Sequence, residues 1–483
     1  MKRLSVYFSL FFVLALLLNS CSKSSDGPGG TPDPDPDPEP PVTTLKFPAK
    51  EMRGAWIATV WELDWPGVRG EAKQKQKYIE ILDSLKALKF NAVFFQVKGM
   101  GDAFYNSPYE PWSAAISGIR GVDPGYDVMN FLIEETHARG MEFHAWMNPY
   151  RISTRASASD NFPVLYSAVN PNWVVDYPKI RIYNPALPEV RQRLNDIVKD
   201  FITKYNVDGI HFDDYFYPSD VTHNDDADYQ KYGSEYSTVE SFRRGNVDKA
   251  IEGVFNTIKA TKPQIVFSVS PGANKDNNYN GLFADVAKWT SSGWVDILIP
   301  QLYQEIGNSF NPFERNLATW SQFRGKAGLV IGHGYYKFGA SDGGAAFQNT
   351  AELVKQFDLT RKNQYVRGSV LYSASDVLAN RIGITNKLAE LYAKDVLMPF
   401  FGREVAAQPA TPSNVKLSGN ELTWSTTGDV KSAVYYFASL TEEGELLAFT
   451  EEKKLSISKS GYYVVTAVNA DYVESKESTP LKK

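Results

Sequence analysis

One pattern restricts the fold of this chain more than any other: from Arg53 to beyond Tyr372, a short β-rich run is followed again and again by a helix-like segment. The runs fall at residues 53–60, 91–97, 141–147, 208–215, 264–270, 295–301, 326–331 and 367–372. After the first of them Tyr78, Ile81, Leu82, Leu85 and Leu88 recur at helical spacing. Ahead of the fourth, Val190, Leu194, Ile197, Val198, Phe201 and Ile202 do the same, and a helix over 126–139 stops at Gly140 before the third. Strands joined through helices pair in parallel by right-handed crossovers, so eight such units predict an α/β fold closed into a (β/α)8 TIM barrel. A doubly wound open sheet is the competitor. No glycine-rich phosphate loop follows the first run, which weakens it.

The fourth run, Asp208-Gly209-Ile210-His211-Phe212-Asp213-Asp214-Tyr215, begins apolar and ends in adjacent carboxylates. Strand alternation puts His211, Asp213 and Tyr215 on one face and Ile210 and Phe212 on the other. Acids at the carboxyl end of a barrel strand stand where such barrels carry out chemistry; the competing role is to cap the following loop. The same alternation brings Gln96 and Lys98, His144 and Asn148, Ser268 and Ser270, and Gln301 and Tyr303 to the mouth. Loops after the second and third strands add Asp102, Tyr105, Glu110, Trp112, Tyr150 and Arg151. Buried polar groups cost free energy unless paired, so this convergence predicts a hydrogen-bonded site for a polar ligand. Aromatic residues make up 13% of the chain, with 27 Tyr and 10 Trp, which suits stacking on sugar rings as well as core filling. A net charge of -5 gives no support to nucleic-acid binding.

Seven motifs in order carry a family resemblance: Arg53-Gly-Ala-Trp56; Phe95-Gln-Val97 with Gly101-Asp-Ala-Phe-Tyr105; Glu110-Pro-Trp112; Pro124-Gly-Tyr-Asp127; His144-Ala-Trp-Met-Asn-Pro-Tyr-Arg151; the fourth run; and Pro300-Gln-Leu-Tyr303. Together they resemble the bacterial glycosyl-hydrolase-like family ten. The resemblance implies a TIM-barrel glycoside hydrolase, often a lipoprotein, with some members acting on peptidoglycan glycan strands stripped of their peptides. Hydrolysis needs an acid for the leaving oxygen plus a nucleophile or a base. Asp213 is the first candidate, Asp214 the second group or an orienting one, and Glu305 the distant acid, standing where relatives are expected to hold an aromatic residue. Glu110 is a further candidate. Retention and inversion stay open.

A partial likeness to chitinases is broken at Tyr215, which occupies the place of their catalytic Glu. Substrate assistance by an acetamido group, with another acid and Tyr303 in support, stays open. Gln96, Lys98, Asp102, Glu110, Trp112, His144, Asn148, Tyr150, Arg151, His211, Tyr215, Ser270, Gln301 and Tyr303 form the expected sugar-binding set. Arg151 and Lys98 either bind a substrate carboxylate or neutralise Asp213. His144 and His211 are expected as hydrogen-bonded barrel residues, and residues 223–228 as a solvated turn rather than a calcium loop. No metal or cofactor is expected.

At the amino terminus Lys2 and Arg3 precede an apolar run over 6–18, too short for a comfortable membrane span, which ends in Leu18-Asn19-Ser20-Cys21. Cys21 is the only cysteine, and the stretch resembles a lipobox, so residues 1–21 are expected to be a lipoprotein signal; an ordinary cleaved signal is the alternative. Residues 22–47 are a Pro/Asp-rich spacer, 48–405 the barrel, and 409–483 a small all-β sandwich of immunoglobulin or fibronectin type. The expected protein is a glycoside hydrolase of the bacterial cell envelope, lipid-anchored, acting on an N-acetylated glycan. A non-catalytic carbohydrate-binding lipoprotein and a hydrolase of host or dietary polysaccharide are the alternatives.

Overall fold

The structure, a computed structural model, describes residues 44–219, 221, 225–402 and 407–483. Cys21, the signal segment, the spacer up to residue 43, and His223 and Asn224 lie outside the described residues. Residues 45–483 form one compact unit.

Eight parallel strands close on themselves: Met52–Ile57, Ala92–Lys98, Glu142–Met147, Gly209–Phe212, Val266–Val269, Ile297–Leu298, Gly328–His333 and Val366–Leu371, the last pairing with the first. The expected barrel is therefore present. Its sixth strand is split, because Ile297–Leu298 pairs with both neighbours, the ladder breaks at Pro300, and Gln301–Leu302 resumes against the seventh strand. Proline has no N–H to offer a ladder, so the break falls where the sequence dictates.

Alternation decides the two faces. Ala55, Ile57, Val93, Phe95, Phe143, Ala145, Ile210, Phe212, Phe267 and Val269 point outward into one apolar cluster with the surrounding helices. Those helices include Glu71–Ala87 and Pro188–Lys204, whose apolar stripes were readable at helical spacing, and Val128–Ala138, expected from its stop at Gly140. Met52, Trp56, Ala92, Phe94, Trp146, Val266, Ile297, Val330 and Val370 point inward and fill the barrel, with Met398 and Phe401 packed beneath them. Burial of this order, at about 25 cal/mol per Å² of apolar surface, is what offsets the ordering of so long a chain.

After the third strand, where a loop is expected, the chain builds a small antiparallel sheet from Arg151–Thr154, Val174–Asp176 and Ile180–Tyr183. Strands of three or four residues are too short to show a period. The carboxyl-terminal segment forms two antiparallel sheets, one of Ser413–Ser418, Glu421–Ser425 and Lys454–Ser456, the other of Glu445–Thr450, Lys431–Phe437, Tyr462–Val468 and Leu481–Lys482. Leu422, Trp424, Val434, Tyr463 and Val465 pack between them. The other face of the four-stranded sheet is covered by Leu45, Phe47 and Leu397, so that sheet is apolar on both sides.

Gly209 shows how tightly the barrel interior is filled. A Cβ there would stand 2.2 Å from His144 Nδ1, a separation no real contact allows. Gly209→Ala is therefore expected to destabilise the fold by about 1–3 kcal/mol, as overpacking does, measured by urea unfolding against the parent.

Candidate active site

The fourth strand ends at Phe212, and Asp213 continues its inward face. Asp213 is only 3% exposed, yet its carboxylate is amply paired. The Trp146 indole N–H donates to Oδ2 at 3.0 Å, Asn148 Nδ2 donates to Oδ1 at 3.0 Å, and the Tyr215 amide donates to Oδ1 at 3.4 Å. Burial raises the pKa of Asp213, while the Arg151 guanidinium and the Trp146 and Asn148 donors pull it back.

Asp214 follows past the end of the ladder, where alternation no longer applies, and stays partly exposed. Gln301 Nε2 bridges from the split sixth strand, donating to Asp214 Oδ1 at 3.2 Å and to the Ser270 carbonyl at 2.8 Å. Burial, reinforced by the neighbouring charge of Asp213, raises the Asp214 pKa to about 7. Two adjacent acids thus have unequal surroundings. Asp213 holds three donors and faces Arg151, whereas Asp214 has one side-chain donor and a like charge beside it that pushes its pKa further up.

Beneath this pair lies a sealed polar layer. Trp56 Nε1 donates to His211 Nε2 at 3.2 Å, which makes Nε2 an acceptor and places the proton on Nδ1, 2.8 Å from Ser268 Oγ. Ser270 Oγ stands 3.0 Å from the same Nε2. Burial lowers the His211 pKa well below its usual value, so the ring is neutral. His144 lies deeper, stacked on Phe94 with centroids 4.5 Å apart and 2.9 Å from Glu142. Both histidines have the structural role expected of them. As sugar contacts, His144, His211 and Ser270 are corrected: all are buried inside the barrel.

Several other expected contacts are also withdrawn from the mouth. The register between the second and third strands shifts between Gln96 and Lys98, turning Lys98 away from the interior. Its ammonium, fully buried, sits 3.6 Å from Glu110 Oε1 and donates to the Met100 and Asn148 carbonyls. Glu110, equally buried, also accepts from Arg193 at 3.1 Å and from the Tyr183 hydroxyl, so its carboxyl group is engaged away from the mouth. Asp102 belongs to the same neighbourhood, beside Ser113 and Arg120, and burial raises its pKa. Gln96 is buried, its Oε1 accepting the Thr59 and Val60 amides. Tyr150 is wholly buried and Trp112 packs on the core. Asn148 is buried too, and what it holds is Asp213. Glu305, the expected distant acid, is half-buried in its own turn, where Asn308 Nδ2 donates to it at 2.9 Å and that bond lowers its pKa.

What remains together at the mouth is Asp214, Arg151, Tyr215, Gln301 and Tyr303, with Asp213 behind. Tyr215 is 49% exposed, with the Arg151 guanidinium 4.7 Å from its ring centroid. Tyr303 stacks on Tyr372 with centroids 6.0 Å apart and meets Tyr336 edge-on at 5.9 Å. Trp146 and Tyr372 were missed although alternation from His144 and Val370 points to them. Tyr336, on a one-turn helix after the seventh strand, has no sequence signal. Asp64 was missed as well: its buried carboxylate accepts from the Ala58 amide at 2.7 Å, Ser373 Oγ at 2.7 Å and the Ser375 amide at 2.9 Å, tying the first loop to the eighth. Among the described residues no group of three or more His, Cys, Asp or Glu is placed to hold a metal ion.

Comparison with known proteins agrees with the position of these motifs. The model of the family described as glycosyl hydrolase-like 10 matches residues 51–345. "Glycosyl hydrolase YngK" of Bacillus subtilis is 36% identical over 375 residues, covering 72% of this chain and 73% of that protein. "Glycosyl hydrolase DigH" of Escherichia coli K12 is 32% identical over 409 residues, covering 75% and 91%. Among solved structures, the PgaB (BpsB) glycoside hydrolase domain from Bordetella bronchiseptica superposes with a TM-score of 0.47 at 13% identity, over 71% of this chain and 98% of that one. With the family pattern running through all but the last of the barrel strands, the chain belongs to the glycosyl hydrolase-like 10 family.

Proposed function

We propose that the protein is a glycoside hydrolase acting on an N-acetylated glycan, with peptidoglycan glycan strands as the substrate class. The observation that carries the reading is the inequality of the acid pair: Asp214 is partly exposed at the mouth with a pKa raised to about 7, whereas Asp213 is sealed. Protonated Asp214 gives its proton to the leaving glycosidic oxygen and, as a carboxylate, takes one from the water that completes the reaction. Asp213 has both oxygens occupied and does not reach an anomeric carbon; it fixes the charge beneath the sugar and keeps Asp214 protonated. With Glu305 and Glu110 bound elsewhere, the nucleophile is the substrate's own 2-acetamido oxygen, a known exception to two-carboxylate catalysis, with Tyr303 beside Asp214 to orient it. The tyrosines around the mouth offer faces for the sugar rings.

The same proposal includes a lipid anchor at Cys21, placement in the cell envelope, and the immunoglobulin or fibronectin likeness of the carboxyl-terminal sheets as a domain of its own. Mass spectrometry of the mature protein, with a diacylglyceryl cysteine expected at Cys21, tests the anchor; an unmodified protein cleaved elsewhere refutes it.

Incubation with peptide-free glycan strands, chitin oligomers and a polysaccharide panel tests the substrate class, and reducing ends from N-acetylated glycans alone are expected. Binding without turnover would instead favour a carbohydrate-binding protein. The products are expected to retain the anomeric configuration by NMR; inversion refutes substrate assistance. Asp214→Asn should lower kcat by about 10²–10⁴-fold.

The pH dependence has a definite sign. An acid with a pKa of about 7 is spent above it, so kcat/KM falls as pH rises through about 7. Removing the charge in Asp213→Asn removes the repulsion that raises Asp214, so the surviving activity should lose its alkaline limb at a lower pH. For folding, a pKa raised above the unfolded 3.8 contributes stability present below that value and lost as pH rises through about 7. Asp214→Asn is therefore expected to melt at a higher temperature than the parent at pH 8, and calorimetry at pH 5 and pH 8 checks that the gain appears with rising pH.

A further inference from the structure

Trp61 lies on the catalytic face of the barrel and has no part in the site described above. It stands at the tip of the loop after the first strand and is 67% exposed, an unusual position for so large an apolar ring. Its backbone is in the left-handed region with φ 53°, as is that of Glu62 with φ 56°. Two adjacent non-glycine residues there cost about 1–2 kcal/mol each, a strain that persists only where the surroundings impose it.

Those surroundings are explicit. The loop is closed at its base, where the Asp64 and Trp65 amides donate to the Ala58 carbonyl at 2.9 and 3.3 Å. On one side Gln96 Oε1 accepts the Thr59 and Val60 amides at 3.1 and 2.8 Å. On the other, the Asp64 carboxylate binds Ser373, the residue after Tyr372, whose ring stacks on Tyr303 beside the acid pair. Beyond the tip, Arg69 Nη1 donates to Glu62 at 2.7 Å. Every support therefore goes to the backbone or to the flanking residues, and the indole is left facing water on a loop pinned at its base, on the same face of the barrel as the acid pair.

We propose that Trp61 is the stacking platform of an outlying sugar subsite, holding the apolar face of a pyranose ring in a glycan chain that extends beyond the acid pair. The inference rests on the proposed function, and it makes the enzyme prefer long chains to short ones. Rigid mounting is what such a platform needs, because a pre-ordered ring loses little entropy on binding.

The test uses the full chain carrying Asp214→Asn, which holds glycan without turnover, and compares it with the same protein carrying Trp61→Ala or Trp61→Phe. Calorimetry with the N-acetylglucosamine hexamer should show Trp61→Ala weakening binding by about 5–20-fold, while the dimer, confined to inner subsites, changes by less than about 2-fold. Trp61→Phe, which keeps a stacking face, should lie within about 3-fold of the parent for the hexamer. Indole emission should shift to the blue on adding hexamer and lose that shift in Trp61→Phe, a readout that a purely structural role would not move. Equal hexamer affinity in the parent and Trp61→Ala, or equal weakening for dimer and hexamer, overturns the subsite and leaves the proposed function standing. A parent that binds neither oligomer overturns the subsite, and the proposed function is then decided by the peptide-free glycan strands.

Discussion

The whole site depends on pairing one carboxyl group, that of Asp213, where water does not reach. A buried anion is tolerated only with donors and a countercharge, and the barrel supplies them to Asp213 from three separate places: Trp146 on the third strand, Asn148 just past it, and Arg151 on the strand that follows. Those groups have supports of their own. Lys98 donates to the Asn148 carbonyl, Arg151 Nε donates to the Gly99 carbonyl at 2.9 Å, and the neutral His211 fills the layer below. Asn148 and Lys98, which look like ligands for a sugar, belong instead to the support of this carboxyl group.

That distinction limited what was legible in the sequence. The period of strands and helices was readable because burial of one face repeats along each element, and Asp213 could be placed because alternation holds up to the strand end. Asp214 could not be ranked above it, since its orientation depends on where the ladder stops and on Gln301 arriving from a strand broken by Pro300. Lys98 was misplaced by one irregularity, the register shift after Gln96, which reverses the parity on which its assignment relied. Glu305 and Glu110 were candidates by type and position, and only their partners show that one closes a turn and the other neutralises two cations.

The aromatic residues divide in the same way. Trp56 and Trp146 are interior polar handles, each donating an indole N–H to a buried acceptor, so they belong to the packing and to the electrostatics at once. Tyr303, Tyr336 and Tyr372 come from three consecutive strand ends and support one another ring to ring, which makes a wall whose shape is set without any hydrogen bond to a ligand.

The double-sided packing of the four-stranded sheet sets a direction for the molecule. Leu45 and Phe47 lie against that sheet just before the chain enters the first strand, and Leu397 lies against it after the helices that follow the eighth, with Met398 and Phe401 under the barrel. Entry and exit are thus held together at the end remote from Asp214. Apolar packing thereby closes the base, and the barrel opens on the opposite, loop-bearing face where Asp214 stands.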